Sequence, residues 1–329
     1  MKKLMNDADT LLAESLDGFA AAHADLVVLG AQRAFVRRRD LRPGKVALIS
    51  GGGSGHEPLH AGFVGHGMLD AACPGQVFTS PTPDQMLAAA DAVERGAGVL
   101  FVVKNYSGDM MNFQMAAEML PCDNASVLVN DDVAVEDSTY TTGRRGVAGT
   151  LVVEKLLGAA AERGDDLDAL KALGDAVNRA TASMGVALTS CTIPAAGSPT
   201  FSIGADEMEM GVGIHGEPGR RRMPLASADE IAAELLGTVL QDLSLRPGQE
   251  VLLLVNGFGG TPAIELYAMV HAAHKVLAGA NVRVARHLTG SYVTSLEMAG
   301  CSLTVTAMDA AQLALWDAPV HTAALRWGL

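Results

Sequence analysis

The feature that most constrains the fold is the alternation of short apolar runs with longer helix-like segments. The runs "KVALIS", "GVLFVV", "ASVLVN" and "EVLLLV" have the length of single strands and are almost wholly apolar, as strands covered on both faces of a sheet usually are. Two of the intervening segments begin with helix-capping patterns, at Thr82-Pro83-Asp84-Gln85 and at Ser227-Ala228-Asp229-Glu230. Strands that alternate with helices indicate an α/β fold.

The remaining segments predict two domains. Helical spacing is present in "DADTLLAESLDGFAAAHA", "MMNFQMAAEML", "GVAGTLVVEKLLGAAAERG" and "DLDALKALGDAVNRATASM". Near residue 180 the helical pattern gives way to a loop-rich stretch. The segment "EVLLLVNGFGGTP" then repeats the order of strand and glycine loop found at 46–58. We predict one α/β domain over residues 1–180 and a second over 181–329, with a C-terminal segment that is free to pack back on the first.

Composition excludes several classes of partner. Asp and Glu outnumber Lys and Arg by 37 to 24, which gives a formal charge of −13, so nucleic acid and anionic membranes are not expected partners. The first residues contain no apolar signal region, and no apolar run is long enough to cross a bilayer. The four cysteines lie far apart and form no C-x-x-C pair, as is usual for thiols in a reducing compartment. We expect a cytoplasmic protein.

The stretch "GGGSGHEPLH" (51–60) allows more than one interpretation. Its second half fits the H-E-x-x-H pattern of zinc proteases, but five helix-resistant residues precede His56, and Pro58 is comfortable only in a first helical turn. A helix that begins near His56 or Glu57 would not place His56 and His60 on one face, so we predict no metal site. The Lys and Ser/Thr of a nucleotide P-loop are also missing. A tight turn remains possible; a loop whose backbone amides bind a small polar ligand explains more of the glycines.

Two other polar clusters are candidates for chemistry. In "KNYSGDMMN", Lys104 and Asp109 follow a predicted strand, where ligands bind in open α/β sheets. Asp109 is either the N-cap of the next helix or a general base for a bound alcohol. In "GVGIHGEPG", His215 stands in a thin loop between glycines. It is either a packed side chain or a neutral imidazole able to attack a ketone or aldehyde carbon. The other histidines, His60 among them, we interpret as structural or surface residues.

Long ordered stretches resemble the substrate-binding K subunit of dihydroxyacetone kinases, over essentially the whole chain. They include "GGGSGHEPLHAGFVGHGMLDAACPGQVFTSPTPDQM", "KNYSGDMMNFQMAAE", "NDDVAVEDSTYTTGRRGVAGT", "GVGIHGEPGRRR", "VNGFGGTPAIELY" and "GSYVTSLEMAGCSLT". The resemblance implies two α/β domains with mixed sheets and a homodimer that binds dihydroxyacetone. It also implies a covalent hemiaminal between His215 and the carbonyl carbon of the ketose.

The same resemblance assigns the remaining site residues. It implies that Gly53, Ser54, Gly55 and His56 contact the ketose, that His56 also has an acid–base role, that Lys104 contacts substrate, and that Asp109 is the base.

The resemblance also implies where the phosphoryl group comes from. This sequence has no Walker motif and no kinase signature, and it ends where fused ATP-dependent members continue into a nucleotide-binding domain. The implied partner is a separate L subunit that carries ADP or ATP with Mg²⁺, while this chain binds no cofactor. In some systems a phosphocarrier M subunit recharges the L subunit from phosphoenolpyruvate, and in others ATP acts directly; the sequence leaves both open.

Two alternatives remain from the sequence. One is a kinase subunit for another short ketose such as erythrulose. The other is a non-catalytic ketose sensor that serves as coactivator of a transcription regulator, against which the presence of His56 and Asp109 beside His215 argues.

Overall fold

The structure, a computed structural model, describes residues 2–135, 141, 143–217 and 219–329. Two parts of the stretches that carry the family resemblance therefore lie outside the described residues. They are residues 136–140 and 142, and Pro218 in the loop that contains His215. No helix in the described ranges combines the length and the apolar character that crossing a bilayer requires.

The chain alternates helices and strands from end to end. The helices are α1 (Leu11–Ala22), α2 (Pro83–Val93), α3 (Ser107–Met119), α4 (Gly149–Arg163), α5 (Leu167–Arg179), α6 (Ala228–Leu243), α7 (Ala263–Gly279) and α8 (Ala310–Asp317). The first strands are β1 (Val27–Leu29), β2 (Val36–Arg38), β3 (Ala47–Ser54), β4 (Gly65–His66), β5 (Ala71–Val77), β6 (Val99–Lys104) and β7 (Asn124–Val129). The later strands are β8 (Thr181–Ala187), β9 (Glu207–Met210), β10 (Arg221–Pro224), β11 (Glu250–Gly257), β12 (Arg283–Gly290), β13 (Gly300–Ala307), β14 (Val320–Thr322) and β15 (Arg326–Trp327).

One compact unit, which we call unit 1, comprises residues 1–129, 153–176 and 314–329. Its main sheet has the strand order β1-β2-β5-β3-β6-β7. Strand β3 runs parallel to both β5 and β6, and β6 is parallel to β7, whereas β1, β2 and β5 pair antiparallel in turn. The first half of β3, up to Ser50, pairs with β6, and the strand from Ile49 to its end pairs with β5, so β3 lies in the middle of this sheet.

The other unit, unit 2, comprises residues 130–152 and 177–313. Its sheet has the order β10-β9-β8-β13-β11-β12, in which only β11 and β12 pair in parallel. Helices α6 and α7 pack their apolar faces on this sheet, for instance through Leu235, Leu236 and Ala273. Each unit thus has a mixed sheet and a core of its own.

The predicted α/β fold with mixed sheets is confirmed. The predicted domain ranges, 1–180 and 181–329, use a single boundary, whereas the chain passes between the two units after residues 129, 152, 176 and 313. Three of these crossings lie inside helices α4, α5 and α8, where no local change of composition marks a boundary.

Local signals placed several elements correctly. Both capping boxes are present, since Gln85 closes on the backbone of Thr82, and Ser227 and Glu230 bond reciprocally. The helix predicted to run through residue 184 is wrong at its end, because Thr181–Ala187 is strand β8 and is fully buried. Strand β8 pairs with β13 along its whole length, so sheet pairing from distant sequence overrides the helical spacing there.

Candidate functional site

The glycine run 51–53 is part of a strand. It continues β3 to Ser54, and residues 55–60 then form bends and turns, so the predicted helix start near His56 or Glu57 is wrong. Glycine is required in this strand for a steric reason. A Cβ atom on Gly52 would lie 2.3 Å from Lys104 Nζ, and one on Gly53 would lie 2.6 Å from the backbone nitrogen of Thr79. Only glycine lets the strand pass so close to its neighbours.

The residues after the strand are fixed by local hydrogen bonds. The Ser54 hydroxyl donates to the carbonyl oxygen of Gly75 at 2.7 Å, and the Gly55 N–H donates to the Glu57 carboxylate at 2.9 and 3.1 Å. Burial raises the pKa of Glu57, and these backbone donors oppose the shift. The hydrogen bonds from the Gly55 N–H to the Glu57 carboxylate thus fix the path of the chain between Ser54 and Glu57.

The His56 side chain is buried against an aromatic ring. Its exposed fraction is 1%, and it stacks on Phe78 with ring centroids 5.0 Å apart and an interplanar angle of 17°. Stacking fixes the plane of the imidazole, which is a requirement for a directed proton transfer.

Lys104 and Asp109 form a buried ion pair. Lys104 is the last residue of β6 and Asp109 lies in the first turn of α3; Nζ and Oδ2 are 3.5 Å apart. The N-cap of α3 is Tyr106, so the alternative in which Asp109 caps the helix is wrong. The Ser80 hydroxyl donates to Asp109 Oδ1. Burial raises the pKa of Asp109, while Lys104 and Ser80 oppose the shift. A desolvated carboxylate of this kind suits a general base.

Two further contacts of Lys104 were not anticipated from the sequence. Its ammonium donates to the carbonyl oxygen of Gly51 at 3.2 Å and lies 2.8 Å from Nε2 of His60. His60, interpreted from the sequence as a structural or surface residue, is buried and contacts a predicted site residue directly. The only local signal for this role was its place four residues after His56.

A cavity of about 370 Å³ lies beside the glycine run within unit 1. Gly52, Gly53 and Ser54 border it on one side, and Leu12 and Leu16 of α1 on another. The glycine run therefore adjoins both open space and the Lys104 ammonium.

His215 lies in unit 2, in a turn whose conformation depends on glycine. Gly216 has φ +71°, and a Cβ on Gly213 would lie 2.0 Å from Oε1 of Glu217. The His215 N–H donates to Oε2 of Glu217 at 2.9 Å, and the side chain is partly exposed. The hydrogen bond to Glu217 thus fixes the backbone from which the His215 imidazole projects.

A buried arginine anchors this turn. Arg145 has an exposed fraction of 0%; its guanidinium donates to Asp132 at 2.8 Å and to the carbonyl oxygen of Gly211 at 2.7 Å. It also lies 3.6 Å from the carboxylate of Glu217. Burial raises the pKa values of Asp132 and Glu217, and Arg145 opposes both shifts. Sequence reasoning missed these charges, because "NDD" and "GRRG" look like exposed loops.

The predicted site residues therefore fall into two groups. Unit 1 contains the glycine run, His56 and the Lys104–Asp109 pair, and unit 2 contains His215 with its anchor. In the part of the chain that the structure describes, no three His, Cys, Asp or Glu side chains are grouped as ligands for a metal ion.

Comparison with known proteins agrees with the resemblance seen in the sequence. The model of a family described as Dak1 domain matches residues 17–324. The dihydroxyacetone-binding subunit of PTS-dependent dihydroxyacetone kinase 1 from Listeria innocua is 50% identical over 94% of this chain and 95% of its own length. The corresponding subunit of the PEP-dependent dihydroxyacetone kinase of Escherichia coli is 48% identical and covers 100% of both chains.

A solved structure extends the comparison to the fold. A dihydroxyacetone kinase operon co-activator superposes with a TM-score of 0.89 at 32% identity, over 94% of this chain and 97% of that one. The sequence match, the aligned relatives and the shared architecture lead to one conclusion: the chain belongs to the Dak1 domain family.

Proposed function

We propose that this chain is the dihydroxyacetone-binding subunit of a dihydroxyacetone kinase, and thus part of a phosphotransferase. A separate L subunit supplies the phosphoryl group, which the phosphotransferase system feeds from phosphoenolpyruvate. The two relatives at 48% and 50% identity are named as such subunits of PEP- or PTS-dependent kinases. The structural observation that carries the proposal is the buried Lys104–Asp109 pair, because a base is what a hydroxyl needs when it attacks phosphorus.

His215 is the proposed covalent anchor. One ring nitrogen adds to the carbonyl carbon of the ketose, the C=O π pair moves onto oxygen, and the proton of the other ring nitrogen goes to that oxygen through solvent. The product is a neutral hemiaminal, formed without an oxidant or a leaving group. Glycerol has no carbonyl and cannot react, so the chemistry itself selects the ketose. The hydrogen bond from the His215 N–H to Glu217 supports this role, since it fixes the turn that carries the imidazole.

Asp109 is the proposed base. It takes the proton of the ketose hydroxyl as the oxygen attacks phosphorus and the bond from phosphorus to ADP on the L subunit breaks. His56 assists the proton transfer and Lys104 contacts the substrate. Gly53, Ser54 and Gly55 contact the bound ketose in this proposal, and the place of Gly53 and Ser54 beside the cavity supports it. Phosphoryl transfer depends mainly on positioning and on neutralising charge, and the fixed plane of His56 supports such positioning.

The L subunit supplies what the sequence of this chain lacks. We propose that it holds ADP or ATP with Mg²⁺, that an M-type phosphocarrier recharges it, and that this chain acts as a homodimer. The absence of a P-loop pattern in the sequence supports a nucleotide site on the partner.

The test is a turnover assay with the purified chain, the L partner, and either ATP or the phosphorylated carrier. We expect dihydroxyacetone phosphate only when chain and partner are both present, and faster turnover of dihydroxyacetone than of erythrulose. Robust phosphorylation by this chain alone with ATP would refute the two-subunit proposal, and preference for erythrulose would change the substrate.

A ketose-dependent co-activator is the second candidate, and the 32% identity to a solved co-activator favours it. The higher identity to the kinase subunits and the desolvated Asp109 beside Lys104 support the kinase instead. A chain that captures ketose but forms no product with either phosphoryl donor would exclude the kinase function and favour the co-activator.

A further inference from the structure

Four ionisable side chains form a continuous buried line in unit 1. Asp109 Oδ2 lies 3.5 Å from Lys104 Nζ, and Lys104 Nζ lies 2.8 Å from His60 Nε2. His60 Nδ1 in turn lies 2.6 Å from Glu154 Oε1 on α4. All four side chains are at most 4% exposed. The proposed function uses only the Asp109 end of this line, so the other end needs an explanation.

The donors and acceptors along the line fix the proton on His60. An ammonium group only donates, so Nε2 of His60 must accept from Lys104, and the ring is neutral with its proton on Nδ1. The Ser50 hydroxyl donates to the carbonyl oxygen of Val102 at 2.7 Å, which leaves its oxygen as an acceptor 3.0 Å from Nδ1. The Nδ1–H therefore points to Glu154 and Ser50. Burial first, and then the charges of Lys104 and His56, lower the pKa of His60 well below its ordinary value.

Glu154 closes the line as a weakly acidic carboxyl group. Burial raises its pKa to about 8, while the charge of Lys104 opposes the shift. Its Oε2 atom has no hydrogen-bond partner among the described residues. With Glu154 protonated at neutral pH, the Lys104 ammonium has one ionised carboxylate partner in this line, Asp109. The charge of the line is then balanced.

We propose that His60 and Glu154 are positioning residues of the phosphoryl-transfer reaction: neutral His60, oriented by Glu154, accepts a hydrogen bond from Lys104 and keeps its ammonium beside the Asp109 carboxylate. This inference rests on the proposed role of Asp109 as base. Gly52 belongs to the same arrangement, because a Cβ there would lie 2.3 Å from Lys104 Nζ and 3.5 Å from His60 Nε2.

The test compares His60→Leu, which removes the acceptor, with His60→Gln, whose amide offers one acceptor and one donor at similar separation. His23→Leu, outside the line, is the matched control. Two readouts are taken: the pH dependence of kcat with a fixed L partner, and the pKa of Asp109 from ¹³C-carboxyl NMR of the chain alone. An ammonium near a carboxylate lowers its pKa by about 1 unit or more. His60→Leu should therefore raise the pKa of Asp109 and move the acidic limb of kcat upward by about 1 pH unit. His60→Gln should restore both, and His23→Leu should change neither.

A second variant keeps the test decisive if His60→Leu does not fold. Gly52→Ala would place a methyl group 2.3 Å from Lys104 Nζ and so displace the flexible end of that side chain, which should shift the pKa of Asp109 in the same direction. An Asp109 pKa that is unchanged in the folded variants would overturn the positioning role. Failure of turnover in the wild-type chain, together with the expected shift of Asp109, would remove the kinase function and leave the positioning role of His60 supported.

Discussion

Replacing Arg145 by methionine should destabilise unit 2 far more than the same change at its neighbour Arg144. The two arginines are adjacent in sequence but opposite in environment. Arg145 is fully buried between Asp132, Glu217 and the carbonyl oxygen of Gly211. Arg144 forms an ion pair with Asp242 in which its side chain is 39% exposed. Arg144→Met is thus a matched control for the loss of one guanidinium.

The magnitude follows from what each replacement leaves behind. Arg145→Met strands the carboxylates of Asp132 and Glu217, whose side chains are 3% and 2% exposed. Removing one partner of a buried ion pair costs about 3–5 kcal/mol, whereas an exposed pair contributes about 0–1 kcal/mol. The loss should also depend on pH. Without Arg145 the pKa values of both carboxyls rise further in the folded state, so stability is retained at low pH and falls as pH rises through those values.

The assay must report on unit 2 alone. Both tryptophans, Trp316 and Trp327, belong to unit 1, so tryptophan fluorescence follows that unit. Hydrogen exchange of peptides from β8 and β13, measured against urea, follows unit 2. We expect about 3–5 kcal/mol of destabilisation for Arg145→Met at pH 8 and less at pH 5. Ketose capture at His215 should weaken in parallel, because Glu217 holds its turn. Equal losses for Arg144→Met and Arg145→Met would refute the reasoning.

Three further outcomes are expected. The Asp109→Asn variant should still capture ketose, but its rate of phosphorylation with the L partner should fall by about 10²-fold or more. Asp84→Asn, at an exposed first-turn aspartate of α2, is the control. Near wild-type turnover of Asp109→Asn would exclude Asp109 as the base. The pKa of Glu154 is raised to about 8 and the unfolded state ionises first, so this residue should make the unfolding free energy fall by about 1.4 kcal/mol per pH unit between pH ~5 and ~8. Glu154→Gln should remove this contribution; a difference in unfolding free energy between wild type and Glu154→Gln that is flat over this range in urea titrations would contradict the buried acid. Cys122, which is partly exposed, should be alkylated before the buried Cys73 and Cys301; peptide mass spectrometry with the opposite order would contradict the fold around them.

The part of the fold that the sequence predicted is the part governed by local physics. Helix α2 begins at Pro83 as its capping box indicates, and the apolar run of β6 is a buried strand. The errors arise where distant residues decide. The glycines of β3 were predicted as a loop, yet parallel pairing with β5 holds them extended. The residues after Arg179 carry a helical pattern but become β8 because β13 supplies their partners.

The candidate site divides in the same way. His56, Lys104, Asp109 and His215 could be named because their motifs and the family resemblance mark them, and their catalytic roles stay predictions. The residues that hold these side chains in place could not be predicted from the sequence. Arg145 is a charged residue in a loop-like sequence, and its burial depends on carboxylates 13 and 72 positions away, at Asp132 and Glu217. No single-sequence pattern encodes such a long-range charge balance.

The most direct test of the account is ¹³C NMR of dihydroxyacetone labelled at its carbonyl carbon, mixed with the purified chain. We predict that the ketone resonance is replaced by that of a tetrahedral carbon in slow exchange, and that His215→Ala abolishes this signal while a control, His23→Ala, retains it. A bound ketose whose carbonyl carbon stays trigonal, or a tetrahedral adduct that survives in His215→Ala, would contradict capture by His215.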